Sequence, residues 1–174
     1  MRVSELATRL GGTLHGDDRE FVGFATDSRH AEPGQVFLAI VGGRVDGASY
    51  APVALERGAV ATVAERPVEG THNVVRRLDE ALARFARSFR DGMTGPVVGI
   101  TGSVGKTTAR GFVAAALSPL GEVLTTSGNR NSEWTSPLAW FEGPKNPAAA
   151  VIEMGMRGFG QIAHLCTAHA PTVG

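Results

Sequence analysis

Apolar positions near the start of the chain recur at helical spacing, at Leu6, Ala7 and Leu10, with Ser4 placed to cap the helix and Gly11-Gly12 to stop it. FVGFATDSR then predicts a strand with Asp27-Ser28-Arg29 at its end, and VFLAIVG a second, closed by Gly42-Gly43. Asp46-Gly47 marks a turn. Pro52 suits the first turn of a helix carrying Val53, Ala54 and Leu55, Gly58 its stop, and AVATVAE reads as a further strand. Leu82, Phe85, Ala86 and Phe89 follow the i, i+3, i+4, i+7 pattern of an amphipathic helix that Asp79 would cap, leaving Arg84, Arg87 and Arg90 on a solvated face.

The pattern breaks at Asp91-Gly92-Met93-Thr94-Gly95-Pro96, which places a domain boundary near residue 93 and divides the chain into 1–93 and 94–174. Beyond the break the expected order is strand 97–101, helix 106–117, strand 122–126, a polar loop at 127–133, strand 149–154 and a helix around 160–169. That alternation predicts a parallel sheet with crossover helices. The expected fold class is therefore α/β, a small N-terminal α/β domain followed by the start of a phosphate-loop (P-loop) parallel-sheet domain. With three strands laid down and PTVG standing where the next would begin, the second domain reads as incomplete and the chain as a fragment.

Composition narrows the classes without naming a partner. Of 174 residues, 43% are apolar and 20% charged, which excludes a disordered or collagen-like chain. Lys plus Arg equals Asp plus Glu at 17 each, so no bulk field draws the protein to nucleic acid or an anionic membrane, and any anion site must be local. The single cysteine, Cys166, rules out an intramolecular disulfide and fits a small buried apolar filler. The N-terminus lacks a long apolar stretch, and none elsewhere approaches the roughly 18 residues that span a bilayer, so a soluble, unexported protein is expected.

The strongest motif is Gly99-Ile100-Thr101-Gly102-Ser103-Val104-Gly105-Lys106-Thr107-Thr108, between a buried strand and a helix. Glycines let backbone N–H groups turn inward around phosphate oxygens, the helix N-terminus adds positive potential, Lys106 reaches the outer phosphates and the Thr107 hydroxyl can bind magnesium. The strict pattern wants glycine where Ile100 stands, so the match is a variant. Glu153 closes the apolar run AAAVIEM and should emerge at the carboxyl end of a parallel strand, on the edge where the phosphate loop opens. A carboxylate there can hold the metal that bridges nucleotide phosphates. Between these elements Asn129 and Asn131 either face the nucleotide or stabilise their own turn. The histidines His15, His30, His72, His164 and His169 lack metal-ligand spacing and are assigned no chemistry, and Trp134 and Trp140, near Phe141, read as packing residues. Neither a Gly-x-Ser-x-Gly elbow nor a His-Glu-x-x-His pair is present, so hydrolase readings resting on them have no support.

TGSVGKTT, the Gly128-Asn129-Arg130-Asn131 loop and above all EMGMRGFGQIAHL resemble the ATP-binding domain of the Mur ligases. The earlier segment from TDSRH to ATVAE is similar to the N-terminal domain of the same family, with its Asp-Ser-Arg, Phe-x-Ala, Asp-Gly and Gly-Ala landmarks in order, so the resemblance covers essentially the whole chain. Glu153-Met154-Gly155-Met156 favours the members that add D-alanyl-D-alanine. The resemblance implies an ATP-dependent peptide ligase of peptidoglycan synthesis, in which ATP phosphorylates the carboxylate of a UDP-N-acetylmuramoyl tripeptide and the amine of D-alanyl-D-alanine attacks the acyl phosphate. It implies Lys106 and Glu153 as catalytic residues. Gly102, Ser103, Val104, Gly105, Lys106, Thr107, Thr108, Asn129 and Asn131 would bind ATP, and Thr107 and Glu153 would hold Mg2+. Asp27, Ser28, Arg29, Asp46 and Gly47 would bind the UDP end of the substrate. A cytoplasmic monomer that binds no nucleic acid is expected.

Two departures stand out. The family's loop usually reads Gly-Asn-x-Asn-Asn followed shortly by Gly and Pro; the second asparagine of the Asn-Asn pair and the glycine are Ser132 and Thr135 here, and the family's Asp-Gly-His pattern is Asp46-Gly47-Ala48. The family's remaining central domain, with a modified lysine and a histidine near the metals, and its C-terminal domain would lie beyond Gly174, so this chain alone is expected to be inactive. The rival readings are another amide-forming member of the family and a non-catalytic nucleotide- or UDP-sugar-binding module.

Overall fold

The computed structural model describes residues 1–43 and 45–174, and they pack as two compact units, Met1–Ala81 and Leu82–Gly174. The division falls earlier than the break in sequence pattern near 93. It cuts helix α3 (Leu78–Arg90), whose residues from Leu82 onward pack in the second unit, while the break at 91–96 follows the end of that helix.

In the first unit helix α1 (Val3–Leu10) is followed by strands β1 (Thr13–His15), β2 (Gly23–Ala25) and β3 (Gln35–Leu38), helix α2 (Ala51–Glu56), and strands β4 (Ala61–Ala64) and β5 (His72–Val74). The sheet order is β1-β5-β4-β3-β2, parallel except for β1 against β5. β4 is buried along its whole length, as a central parallel strand covered on both faces must be. Leu6, Leu10 and Leu38 are fully buried, each contributing about 1.5–3 kcal/mol relative to exposure. Two expected caps are corrected. Ser4 lies inside α1, whose cap position is Arg2; the capping carboxylate is that of Asp18, which accepts from the Ser4 N–H at 2.9 Å and the Ser4 hydroxyl at 2.9 Å. Asp79 lies inside α3 and pairs with Arg77, while the Leu78 N–H donates to the Glu65 carboxylate at 2.8 Å. In both places a carboxylate distant in sequence satisfies the open helix N–H groups.

The second unit holds β6 (Val97–Ile100), α4 (Lys106–Leu117), β7 (Val123–Thr125), α5 (Ala139–Glu142), β8 (Ala149–Glu153) and α6 (Gln161–His169). Its parallel sheet runs β6-β8-β7, with β8 central and buried at every position. Val97, Leu124, Ala150, Ile152, Trp140 and Leu165 form its core. Val173 makes a parallel bridge to Val98 on the other side of β6. Because β6 and β8 are parallel and in register from Val97 with Ala150 to Ile100 with Glu153, the end of β8 and the start of the glycine-rich loop lie side by side.

Candidate functional site

Two clefts open at the carboxyl ends of parallel strands, one in each unit. In the first unit a cleft of about 560 Å³ is lined by Thr26, Asp27, Ser28, Arg29 and Gly47, with Phe37 and Tyr50 among its apolar walls. Asp27 is the cap of a short 3₁₀ turn, Ser28–His30, and accepts the Arg29 N–H at 3.0 Å. Its carboxylate also takes the Arg29 guanidinium bidentately, at 3.0 and 2.7 Å, so the cation expected at the UDP end is held in an ion pair. That hydrogen bonding keeps the Asp27 carboxyl far below the usual carboxylate range. Gly47 packs so tightly that a Cβ would lie 2.4 Å from the Ile40 carbonyl oxygen, which explains the glycine by space. Asp46 is not among the lining residues: it accepts the Ala48 N–H at 2.9 Å and pairs with Arg66 at 2.8 Å. The Arg66 hydrogen bond lowers its carboxyl pKa.

In the second unit the cleft has a volume of about 590 Å³ and is lined by Gly102, Ser103, Lys106, Asn129, Asn131, Trp134 and residues 155–157. The loop turns into α4 through Gly105, at φ +78°, a left-handed conformation that side chains rarely adopt. Lys106 folds back to donate to the Gly102 carbonyl at 2.8 Å, across the loop it would open for a phosphate. Val104 and Thr108 are exposed and are not among the residues that line the cleft.

Glu153, 3% exposed at the end of β8, is the hub of the site. Its Oε2 accepts the Thr107 hydroxyl at 2.9 Å and an Arg110 N–H at 3.2 Å, and its Oε1 accepts the Asn131 amide at 3.1 Å. Its own N–H donates to the buried Thr126 hydroxyl at 3.0 Å, which fixes the strand end against β7. Asn131 therefore faces Glu153, whereas Asn129 lines the cleft wall. Gly155 explains why Met154 is followed by glycine: a Cβ there would lie 2.9 Å from the Asn131 side chain and push it off Glu153. Thr107 and Glu153 offer two oxygen ligands in contact, the donor chemistry a hard divalent cation prefers, with water and phosphate oxygens able to complete its shell. Among the described residues no group of three or more His, Cys, Asp and Glu side chains forms a further metal site.

Sequence reasoning missed Arg110 and Gln161. Arg110 follows Thr107 at i+3, one helical turn along the same face, a spacing legible in advance. Gln161 accepts the N–H groups of Arg157 and Gly158 at 2.6 and 3.0 Å and donates to Glu133 at 3.0 Å, which ties together residues that line the cleft. Trp140 packs as expected, at 4% exposure, and also donates its indole N–H to buried His169 at 2.9 Å, which gives that histidine a structural role with no signal in its spacing along the chain.

Known proteins are similar to this chain in sequence and fold. Residues 20–90 match the Mur ligase family catalytic domain, and residues 100–174 the Mur ligase middle domain. The chain is 40% identical over 170 residues to the UDP-N-acetylmuramoyl-tripeptide--D-alanyl-D-alanine ligase of Synechocystis, covering 95% of this chain and 37% of that protein. It is 35% identical over 168 residues to the Bacillus subtilis enzyme of the same name, covering 92% and 37%. The crystal structure of MurF from Acinetobacter baumannii superposes with a TM-score of 0.85 at 30% identity, over 97% of this chain and 38% of that one. MurF ligase from Thermotoga maritima in complex with ADP gives 0.71 at 36% identity, over 84% and 35%. The chain thus spans little more than a third of the length of these relatives. No described helix is long and apolar enough to cross a membrane. With family matches over both units and the same fold in solved relatives, the chain belongs to the Mur ligase family.

Proposed function

We propose that this chain supplies the UDP-substrate-binding and ATP-phosphate-binding parts of a ligase that joins D-alanyl-D-alanine to UDP-N-acetylmuramoyl tripeptide in the cytoplasm. The observation that carries the reading is the contact of Thr107 with Glu153 beside Lys106 at the carboxyl edge of β6 and β8. The loop amides and Lys106 would bind the ATP phosphates, and Thr107 and Glu153 would hold a magnesium ion, which would supply neutralisation of charge on the γ-phosphoryl group. A carboxylate oxygen of the tripeptide attacks the γ-phosphorus and ADP leaves. The amine of D-alanyl-D-alanine then attacks the acyl carbon, loses a proton and expels phosphate. The first-unit cleft binds the UDP end, where Arg29 exchanges Asp27 for a pyrophosphate oxygen.

Calorimetric titration of the chain with magnesium-ATP, and separately with UDP-N-acetylmuramoyl tripeptide, tests the two assignments. Arg29→Ala is expected to weaken the second titration roughly tenfold, the loss of one charge-assisted hydrogen bond less the Asp27 pairing it replaces. Unchanged affinity would remove Arg29 from the site. Assayed by itself with both substrates and magnesium-ATP, the 174-residue chain is expected to form no peptide bond. The relatives' remaining length has no counterpart among these residues, so the reacting groups are not enclosed and oriented. Multiple turnover, read by phosphate release and mass detection of the pentapeptide, would refute this.

A further inference from the structure

Arg110 stands where the proposed cation would act. Its guanidinium donates through one nitrogen to Glu153 Oε2 at 3.2 Å and to the Gly128 carbonyl at 3.3 Å, and its side chain is 15% exposed against 4% for Glu153. The oxygen it contacts is the one that accepts the Thr107 hydroxyl. Three donors therefore satisfy a nearly buried carboxylate that would otherwise carry an uncompensated charge. A dication coordinated by that oxygen and by the Thr107 hydroxyl needs two changes. The hydroxyl must turn its proton away so that a lone pair faces the ion, and the guanidinium must withdraw, because two positive charges cannot share one oxygen without strong repulsion.

We propose that Arg110 is a placeholder for the divalent cation: a positioning residue that neutralises Glu153 when no cation is bound, opposes cation entry, and on displacement gives up its hold on the Gly128 carbonyl. This rests on the reading of the second-unit cleft as a nucleotide and metal site. It adds that the basic side chain one turn into α4 sets the cation affinity and links the carboxylate to the loop bearing Asn129 and Asn131.

The test measures Mn2+ binding to the full 174-residue chain without nucleotide, by the loss of the free-ion electron paramagnetic resonance signal, together with the thermal midpoint across a Mg2+ titration. Arg110→Met keeps the apolar stem and removes the charge; Arg110→Gln is the second neutral variant should the first fold poorly by circular dichroism. Either is expected to bind Mn2+ about tenfold more tightly than wild type, with a midpoint that rises with Mg2+. Arg110→Lys should behave as wild type, and adding Glu153→Gln to Arg110→Met should abolish the gain. Equal or weaker Mn2+ binding in the neutral variants, including none in any form, overturns the proposal, as does a gain that survives Glu153→Gln. ADP binding by wild type is read in parallel: ADP bound with no gain in the variants refutes the placeholder alone, and a gain without ADP binding counts against the nucleotide reading alone.

Discussion

Lys106→Ala is expected to lower affinity for magnesium-ATP by about 100-fold while leaving the thermal midpoint of the free protein unchanged. The affinity loss follows from removing a charged donor to phosphate oxygen, worth roughly 1.5–3 kcal/mol where it is partly screened from water. The unchanged stability follows from what Lys106 does in the free chain: its ammonium bonds only to the Gly102 carbonyl of its own loop, at an exposed position. Lys106→Arg should restore little, since the loop offers a point-charge geometry in which a planar fork has no second acceptor. Calorimetry and differential scanning together give the two readings. Equal ATP affinity in wild type and Lys106→Ala would remove the phosphate-loop assignment, and a large fall in the midpoint would show that the lysine serves the fold.

The second large effect is on stability against acid. His169 is completely buried; its Nδ1 accepts the Trp140 indole N–H at 2.9 Å, so its proton resides on Nε2 and is donated to the Ser136 hydroxyl at 2.9 Å. Burial, reinforced by the nearby His164, pushes its pKa down to about 3. A histidine depressed in the folded state contributes nothing to pH dependence above its unfolded value near 6.5. Between there and about 3 the unfolded chain binds the extra proton and the folded chain does not, so stability falls as pH falls, by up to about 1.4 kcal/mol per pH unit. His169→Gln preserves an acceptor for Trp140 and a donor for Ser136 but cannot titrate. It should be less stable than wild type at pH 7 by about 1–3 kcal/mol, and that difference should shrink on acidification from pH 6 to pH 4. Urea unfolding followed by tryptophan fluorescence at several pH values checks this, because carboxylate titrations common to both proteins cancel. Stability curves that stay parallel across the window would show that His169 is not the group responsible.

The second unit was the more legible half of the chain. Helix 106–117 is observed as Lys106–Leu117, strand 97–101 as Val97–Ile100, and strand 149–154 as Ala149–Glu153. Each is a run whose pattern and boundary residues agree: buried apolar strands bounded by glycine or a charge, and a helix entered through Gly105. The first unit was read less well. FVGFATDSR contains only the three-residue strand Gly23–Ala25, and Thr13–His15 and His72–Val74 went unrecognised as strands. Strands of three residues carry no alternation to detect; β2 forms against β3, and β4 supplies a buried edge for β5, which in turn pairs with β1. The caps failed for a related reason. Ser4 and Asp79 stand at suitable positions by local rule, but Asp18 and Glu65 reach the helix ends through the fold.

By itself the sequence determined the α/β class, the glycine-rich loop between β6 and α4 and the side of the sheet on which it opens, because these depend on residues adjacent in the chain. It also marked Glu153 as a strand-end carboxylate. Only the tertiary structure decided what surrounds that carboxylate. Thr107, Arg110 and Asn131 lie 46, 43 and 22 residues away from it, and the parallel pairing of β6 and of β7 with β8 brings them within hydrogen-bond reach. It likewise decided that Arg29 is held by Asp27 and that His169 is a neutral, buried link between Ser136 and Trp140. Charge pairing and burial are set by neighbours in space, and a pattern along the chain records them only where those neighbours are also neighbours in sequence.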